Sequence, residues 1–309
     1  MAVRDPSDDD TIPPPLRVPV AGPALPSMSL SAREVQVDCA GLSDRGVIRP
    51  DNQDHFLLAR VGRFSQVLAT SLPPGEIPQR FEEAWVVMMV ADGMGGHAAG
   101  EVASRTAIVT MVSLLLDTPD WIMRVDEASA EEFLRRTDTR YRSLDSILAE
   151  RAEAEPALQG MGTTMTAGFS LGLDLFLAHV GDSRAYLCRG GSARQLTRDH
   201  TRVQMLVDSG VLTRQEAATH RMRNVLTNAL GGGRALADVE LHRIRLEPGD
   251  ALLLCTDGLH GTATNEEIAS ILCRSPSSEE ACRAFVGLAL DRGAPDNVTA
   301  VVSRYRAAD

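Results

Sequence analysis

Four apolar segments, each joined to an aspartate, constrain this chain more than any other feature of its sequence. Three of them run into Asp92, Asp182 or Asp257, and in the fourth Asp296 precedes the apolar run that begins at Val298. A glycine or an asparagine stands beside each carboxylate, and glycine lets a ligand approach the backbone closely. One Asp-Gly pair is typical of a turn. Four aspartates, each at a strand end beside glycine or asparagine, predict carboxylates gathered at one edge of a sheet.

Carboxylates gathered in this way suit hard divalent cations. Mg²⁺ and Mn²⁺ prefer oxygen ligands, and Mg²⁺ retains several waters in an octahedral shell. The sequence shows no His/Cys cluster at the spacing of a zinc site. The four segments therefore predict a polynuclear Mn²⁺ or Mg²⁺ site, whose cations would neutralise part of the net charge of −11.

Charge and cysteine content limit the partners and the compartment. The net charge of −11 argues against a nucleic-acid partner. Five scattered cysteines without a CxxC pair predict reduced thiols in a cytoplasmic protein. No apolar run approaches the ~20 residues of a membrane helix, and the N-terminus has no signal pattern. We therefore expect a cytoplasmic monomer with no membrane partner.

The chain divides into a tail and one domain. Residues 1–33 are rich in proline and lack periodicity, which predicts a disordered tail, and residues 34–306 form the predicted domain. The stretch 63–83 is interpreted as a surface loop, with a docking element as the alternative.

The order of elements within the domain favours one fold class. Strands come first, followed by helices over 98–116 and 132–154, more strands, two helices over 265–272 and 278–290, and a last strand. Because strands and helices do not alternate strictly, a doubly wound parallel sheet is disfavoured. The order favours an α+β fold, with antiparallel sheets and helices packed on their outer faces.

A turn near the N-terminal strand carries arginines and carboxylates together, in the segment Ser43–Asp54. An arginine beside a carboxylate-metal site is expected where the substrate is an anion, because a guanidinium can bind two phosphate oxygens at once. The alternative is a surface salt bridge, which is the commoner role of an arginine.

Together, these segments resemble the bacterial form of the metal-dependent serine/threonine protein phosphatases of the PP2C (PPM) family. Seven motifs carry the resemblance over residues 36–303, and they occur in the family's order. They are Ser43-Asp44-Arg45-Gly46…Arg49…Asn52-Gln53-Asp54, Ala91-Asp92-Gly93-Met94-Gly95-Gly96-His97, Gly160-Met161-Gly162-Thr163-Thr164, Val180-Gly181-Asp182-Ser183-Arg184, Leu226-Thr227-Asn228-Ala229-Leu230-Gly231, Thr256-Asp257-Gly258-Leu259 and Asp296-Asn297-Val298-Thr299.

The resemblance implies a fold and a set of metal ligands. The fold is a β-sandwich of two antiparallel sheets, flanked by α-helices on both outer faces, with the metals at one end. Asp92 is implied to bridge two Mn²⁺ or Mg²⁺ ions, with the Gly93 carbonyl as a further ligand. Asp257 and Asp296 would complete the coordination of one of these core ions. Asp182 and Asp257 would together hold a third ion that binds more weakly.

The resemblance also implies an activity, in which Arg49, Asp92 and Asp257 are the catalytic residues. Two metals would lower the pKa of a shared water, and the resulting hydroxide would attack phosphorus in line, opposite the serine or threonine oxygen. Arg49 would bind the substrate phosphate, and Asp54 would support the site from behind the ligands. The implied substrates are phosphorylated proteins, among them a serine/threonine kinase.

Two residues differ from the family pattern, and one segment resembles a further part of it. Gln53 stands where the family usually has a glutamate that binds metal-coordinated water, so the affinity of the second metal is open. Met94 occupies the place of the eukaryotic family's general acid, and that role is not transferred to His97. Residues 201–230 resemble the flap beside the bacterial active site, where Arg221 and Arg223 are candidate substrate-binding residues, with a solvated basic turn as the alternative.

Two other functions compete with this one. Cysteine phosphatases use Cys-x5-Arg, which occurs at Cys39…Arg45 and at Cys188…Arg194. That chemistry needs a loop between a strand and a helix N-terminus, whereas Cys188 precedes a hairpin turn. A catalytically weak pseudophosphatase that binds phosphoproteins is the second alternative, and Gln53 is the feature that invites it.

Overall fold

The computed structural model describes residues 35–73, 75–95, 98–117, 126–233, 236 and 238–307. The predicted disordered tail, residues 1–33, lies outside the described residues, as does His97.

The described strands form two antiparallel sheets. The first sheet contains β1 (Val35–Asp44), β7 (Arg184–Arg189), β8 (Ser192–Gln195), β11 (Ala251–Cys255) and β12 (Val298–Ala307). Its order is β1-β12-β11-β7-β8. The second sheet contains β2 (Asp54–Gln66), β3 (Arg80–Met94), β4 (Gly162–Thr163), β5 (Met165–Leu171), β6 (Asp174–Val180), β9 (Leu230–Gly231) and β10 (Glu240–Arg245). Its order is β10-β6-β5-β3-β4-β9, and β2 also pairs with β3.

Helices cover the outer face of each sheet. The described helices are α1 (Ala98–Asp117), α2 (Glu127–Ala154), α3 (Arg202–Asp208), α4 (Arg214–Ala218), α5 (Asp257–His260), α6 (Asn265–Arg274) and α7 (Ser278–Asp291), with a short 3-10 turn at Pro156–Leu158. Helices α1 and α2 share a buried apolar cluster with the second sheet. Helices α6 and α7 share another with the first sheet. The predicted α+β sandwich is confirmed.

Strand β3 explains why the chain needs an unbroken apolar run before Asp92. Val86, Met88 and Val90 face the other sheet within the apolar layer between the sheets. Trp85 faces the opposite way and stacks on Phe133 of α2, with ring centroids 4.9 Å apart. Because alternate residues of a strand point to opposite faces, a strand covered on both faces has no position for a solvated side chain.

Several predicted boundaries change in the structure. Helix α2 starts at Glu127 rather than at 132, because Asp126 and Ser129 form a capping box. The stretch 63–83 is not one surface loop, since residues 63–66 of β2 pair with residues 80–83 of β3. That prediction is therefore wrong at both ends of the stretch, and the connection between the strands is shorter than expected.

Cysteine pairing also departs from the prediction. Cys188 of β7 and Cys273 of α6 form a disulfide that ties the first sheet to its covering helix. The prediction of reduced thiols is wrong for this pair and holds for Cys39, Cys255 and Cys282, which are free. Sequence spacing gave no sign of the pair, because 85 positions separate the two residues.

One described helix, α1, is long and apolar enough to cross a membrane by length and composition. The prediction that no segment approaches this length is therefore wrong. Its Ala103, Ala107 and Met111 are fully buried in the cluster shared with the second sheet. A stripe buried in this way is typical of a core helix in a globular domain.

Candidate active site

One cavity of about 1090 Å³ brings most of the predicted site residues together. Its lining includes Arg49, Gln53, Asp92, Gly93, Met94, Asp182, Asp257 and Asp296. These residues come from the turn before β2, the end of β3, the loop after β6, the start of α5 and the loop before β12. Antiparallel pairing brings these ends to the same edge of the sandwich, as the four Asp-bearing segments predicted.

Asp92 lies at the end of β3, directly opposite Asp54 of β2 in the ladder. Its backbone is held by the threonine pair that follows the 3-10 turn. The Asp92 N–H donates to Thr164 Oγ1 at 3.0 Å, and its carbonyl accepts from the Thr164 N–H at 2.9 Å and from Thr163 Oγ1 at 2.8 Å. These contacts give the motif at 160–164 a role that the sequence did not reveal.

Asp54 is a buried carboxylate that is satisfied on one oxygen. Its Oδ2 accepts hydrogen bonds from the hydroxyls of Thr256 at 2.8 Å and Thr299 at 2.7 Å. Its Oδ1 is buried without a hydrogen-bond partner among the described residues. Burial raises the pKa of Asp54 to about 7. An orphaned buried oxygen calls for an explanation, and a cation or its bound water beside the carboxylate cluster supplies one.

The acidic groups of the cavity raise one another's pKa values. Burial is the largest cause for Asp92, whose pKa stands well above its usual value, and the charges of Asp54, Asp257, Asp182 and Asp296 add to it. Burial and the charge of Asp296 raise the pKa of Asp257 to about 6, although Arg49 and a hydrogen bond with Asp92 oppose the shift. Positive charge inside the cavity would relieve this repulsion at neutral pH.

Asp182 follows the same rule, since burial and the charge of Asp257 raise its pKa well above the usual value. Its loop is fixed by neighbours. Arg184 binds Asp199 through two hydrogen bonds of 2.8 and 2.6 Å, and His260 Nε2 lies 2.9 Å from the Asp182 carbonyl oxygen. The cluster therefore consists of hard oxygen donors on a rigid frame, a donor set that fits Mg²⁺ or Mn²⁺.

Arg49 forms an ion pair with a predicted metal ligand. Its Nη2 lies 2.6 Å from Asp296 Oδ2, and the Arg49 side chain is 53 % exposed. The hydrogen bond to Asp296 is the largest cause that raises the pKa of Arg49. The structure thus places the guanidinium at the rim of the carboxylate cluster, where an anion drawn to bound cations would meet it.

Asn297 organises the arginine turn, and the sequence assigned it no role. Its Oδ1 accepts from the Gln53 N–H at 2.8 Å, while its Nδ2 donates to the carbonyls of Arg45 at 2.8 Å and Asp51 at 2.9 Å. Only its position directly after Asp296 could have signalled this function.

Two glycines allow the ends of β3 and α1 to meet. A Cβ on Gly93 would lie 2.0 Å from the Gly100 carbonyl oxygen, and a Cβ on Gly100 would lie 2.6 Å from Gln53 Oε1. Any larger residue at either place would displace backbone or the Gln53 side chain. Gln53 is thereby held against the first turn of α1, beside Asp92.

The flap predicted over 201–230 contains α3 and α4 and borders a second cavity of about 1000 Å³. Arg223 lines this second cavity, which shares Asp182, Asn224, Asp257 and Asp296 with the first. Arg221 lines neither of the two cavities. The structure therefore brings one of the two predicted flap arginines beside the carboxylate cluster.

A second group of possible metal donors lies outside the cavity, where His179, His200 and Glu240 bring donor atoms within 4.8 Å of one another. The sequence did not predict it. His200 Nδ1 accepts a hydrogen bond from the Gly181 N–H at 3.2 Å, so in the neutral ring Nε2 carries the hydrogen and faces Glu240. With that tautomer His200 has no lone pair left for a metal.

A thiol nucleophile is contradicted by the structure. Cys188 is engaged in the disulfide with Cys273. Burial raises the pKa of the Cys39 thiol to about 11, so it is protonated at neutral pH. Neither cysteine lines the two cavities. Neither Cys-x5-Arg segment therefore offers a thiolate at the two cavities.

Comparison with known proteins gives one consistent result. The family profile described as Protein phosphatase 2C matches residues 78–289. The serine/threonine protein phosphatase PstP of Mycobacterium tuberculosis is 38% identical over 264 residues, which are 85% of this chain and 44% of that protein. The serine/threonine phosphatase stp of Listeria welshimeri is 35% identical over 216 residues, 70% of this chain and 83% of that protein.

A solved structure agrees with the sequence relatives. The catalytic domain of the serine/threonine protein phosphatase PstP in complex with two manganese ions superposes with a TM-score of 0.68 at 35% identity. The match covers 88% of this chain and 99% of that chain. The chain thus spans less than half the length of the full mycobacterial relative, whereas the match covers nearly all of the solved PstP catalytic domain.

Proposed function

The chain belongs to the protein phosphatase 2C family, and on this basis we propose that it is a metal-dependent phosphatase acting on phosphoserine and phosphothreonine in proteins. One observation carries the proposal. Asp92, Asp182, Asp257 and Asp296 converge with Arg49 on one cavity, where burial and mutual repulsion raise the pKa values of Asp92, Asp182 and Asp257. Such a cluster is suited to holding divalent cations against an anionic substrate.

The proposed cofactors are two core Mn²⁺ or Mg²⁺ ions and a third, weaker ion. Asp92, the Gly93 carbonyl, Asp257 and Asp296 would hold the core ions, and Asp182 would share the third with Asp257. The two manganese ions in the complex of the similar PstP catalytic domain support the core pair. When bound, such cations activate water as a nucleophile and neutralise phosphate charge.

The chain's own side chains would position the substrate. Arg49 would release part of its contact with Asp296 and bind two phosphate oxygens, since a guanidinium offers a planar pair of donors. Asp54, fixed by Thr256 and Thr299, would accept hydrogen bonds from water beside the cations. Met94 lines the cavity at the position of the eukaryotic acid and carries no exchangeable proton.

Gln53 is the residue on which the alternative function, a pseudophosphatase, depends. Its amide lines the cavity with the acidic residues, so it can hydrogen-bond water although it lacks the charge of glutamate. All the carboxylates that would hold the core ions are present. The site therefore favours catalysis, and Gln53 would lower the affinity for the second metal ion.

The proposed substrates are phosphorylated proteins, among them a serine/threonine kinase. The names of the relatives as serine/threonine phosphatases support the substrate class. The cytoplasmic location and the monomeric state stay predictions.

Hydrolysis of p-nitrophenyl phosphate and of a phosphothreonine peptide tests the proposal. We expect turnover with added Mn²⁺ and none after EDTA, because cations supply the nucleophile. Cys188→Ser serves as the control for thiol chemistry and should leave metal-dependent turnover in place. A folded protein that binds Mn²⁺ without turning over either substrate would refute the enzymatic function and support the pseudophosphatase.

A further inference from the structure

Three arginines beside the active site have no side-chain partner among the described residues. Arg194 lies on β8, Arg214 opens α4 in the flap, and Arg223 follows α4. All three are exposed and line the second cavity. The chain contains no lysine, so its basic groups are guanidinium forks that can bind carboxylate or phosphate oxygens in pairs.

The other charges of this cavity are already matched. Arg184 binds Asp199, and Arg198 binds Asp208. The remaining aspartates of the lining, Asp182, Asp257 and Asp296, belong to the proposed metal cluster, where cations would neutralise them. Arg214 lies close enough to Asp208 to lower its pKa, but the two form no ion pair. Once metals are bound, the wall retains a surplus of positive charge.

This surplus adjoins the place where the phosphate would react. The second cavity shares Asp182, Asn224, Asp257 and Asp296 with the first, so the two form one groove across the carboxylate cluster. A peptide whose phosphoresidue sits on the cluster would lay its neighbouring residues along Arg223, Arg214 and Arg194. On a protein with a net charge of −11, such a basic wall is a local exception.

We propose that Arg194, Arg214 and Arg223 form a docking wall for a second anionic group on the substrate, so that the preferred substrates are phosphoproteins with acidic or phosphorylated residues beside the target site. The inference rests on the proposed phosphatase function and specifies its substrate class. A carboxylate and a phosphate share the chemistry that the wall recognises, and the peptides in the test separate these two sources.

The test compares phosphothreonine peptides that differ in their flanking residues. One carries glutamates, one alanines, one arginines and one a second phosphothreonine. We expect kcat/KM for the glutamate peptide to exceed that for the alanine peptide about tenfold, since exposed ion pairs contribute up to about 1 kcal/mol each and about 1.4 kcal/mol is tenfold. The ratio should shrink towards one at about 0.5 M NaCl, because salt screens exposed charges.

Charge reversal then assigns the effect to the wall. Arg194→Glu combined with Arg214→Glu should abolish or invert the glutamate-to-alanine ratio. Arg60→Glu is the matched control, because Arg60 is another exposed arginine without a side-chain partner among the described residues and it lines neither cavity. That control should retain the ratio of the wild type.

The outcomes separate this inference from the proposed function. Turnover of p-nitrophenyl phosphate with equal kcat/KM for all peptides, or an unchanged ratio in the double variant, overturns the docking wall and leaves the phosphatase intact. A preference confined to the doubly phosphorylated peptide identifies phosphate as the anion recognised. If nothing is hydrolysed, fluorescence anisotropy of the labelled peptides with Mn²⁺ decides, and equal affinity of wild type and double variant for the glutamate peptide overturns the inference.

Discussion

The layer between the two sheets is filled with apolar side chains, whereas the carboxylate end of the sandwich places acidic side chains beside a cavity. Between the sheets, Met88, Leu177 and Leu252 are fully buried among other apolar side chains. At the end of the sandwich, Asp54 and Asp92 face each other across β2 and β3, and burial raises the pKa of both. The first region stabilises the fold, whereas the second opposes folding until cations enter.

The acidic site is held together by hydrogen bonds rather than by apolar packing. Asp54 accepts hydrogen bonds from two threonine hydroxyls. Asn297 forms hydrogen bonds with three backbone groups. Neutral hydrogen-bonding groups thus hold Asp54 and the arginine turn in place without neutralising the carboxylates. Substitutions in the two regions should therefore separate activity from stability.

Asp257→Asn should show the largest effect. We expect activity to fall at least about a thousandfold, because loss of a core carboxylate weakens metal binding and transition-state stabilisation together. Stability in EDTA should stay level or rise, since the change removes buried charge repulsion. Steady-state kinetics and urea unfolding measure the two properties. Asp138→Asn, which loses a surface pair with Arg142, is the matched control, and full activity in Asp257→Asn would refute the ligand assignment.

Leu252→Ala should produce the reverse pattern. Deleting a fully buried leucine between the sheets should lower the free energy of unfolding by about 3 kcal/mol, from lost burial and the cavity left behind. Turnover per folded molecule should remain that of the wild type. A loss of turnover as large as that of Asp257→Asn would show that the two regions are not separate.

The loss of activity in Thr299→Val should lie between those of Asp257→Asn and Leu252→Ala. The variant keeps the shape of the side chain and loses one of the two hydroxyls that donate to Asp54 Oδ2, and a hydrogen bond to a charged group contributes about 1.5–3 kcal/mol. We expect about a tenfold loss of kcat/KM and a higher Mn²⁺ requirement. Unchanged metal dependence would show that Asp54 needs no support from Thr299.

The smallest of these effects is the pH dependence of stability that the buried aspartates cause in EDTA. The pKa values of Asp54 and Asp257 rise to about 7 and about 6 in the folded chain. Raised pKa values stabilise the fold at pH below the unfolded value, near 4, and this contribution is lost as pH rises to about 7. The buried His179 and His260, whose pKa values are lowered to about 4 and about 3, act in the opposite sense, so the measurement is the difference between the wild type and Asp257→Asn in urea unfolding between pH 4 and 8. The stability of the wild type relative to the variant should decline as pH rises, and saturating Mn²⁺ should reverse this decline at neutral pH. A relative stability in EDTA that rises over this range would contradict the repulsion.

The sequence predicted which carboxylates gather at the cavity better than it predicted the residues that hold them in place. Asp92 and Asp257 stand out because a charge after an apolar strand breaks the burial pattern. Thr164 and Asn297 do not, since a threonine or asparagine near a turn has many ordinary roles. Their function depends on contacts between distant elements, such as Asn297 with Gln53, which no local pattern encodes.

The same limit explains the errors in the fold. Helix α5 directly follows β11 and starts at Asp257, but four residues are too few for a helical period to show. The disulfide joins Cys188 to Cys273 across the layer between a sheet and its helix. Hydrophobic periodicity indicates which face of an element is buried, but not which other element packs against that face. The apolar runs, by contrast, located the sheets because burial on both faces leaves a continuous pattern.

Isothermal titration of Mn²⁺ into EDTA-treated, dialysed protein tests most directly whether the carboxylate end exists to hold cations. We predict that the wild type binds at least two ions and that Asp257→Asn loses at least one of them, while Asp138→Asn binds as the wild type does. A wild type that binds no Mn²⁺, or an Asp257→Asn variant with the same stoichiometry and affinity as the wild type, would contradict the account.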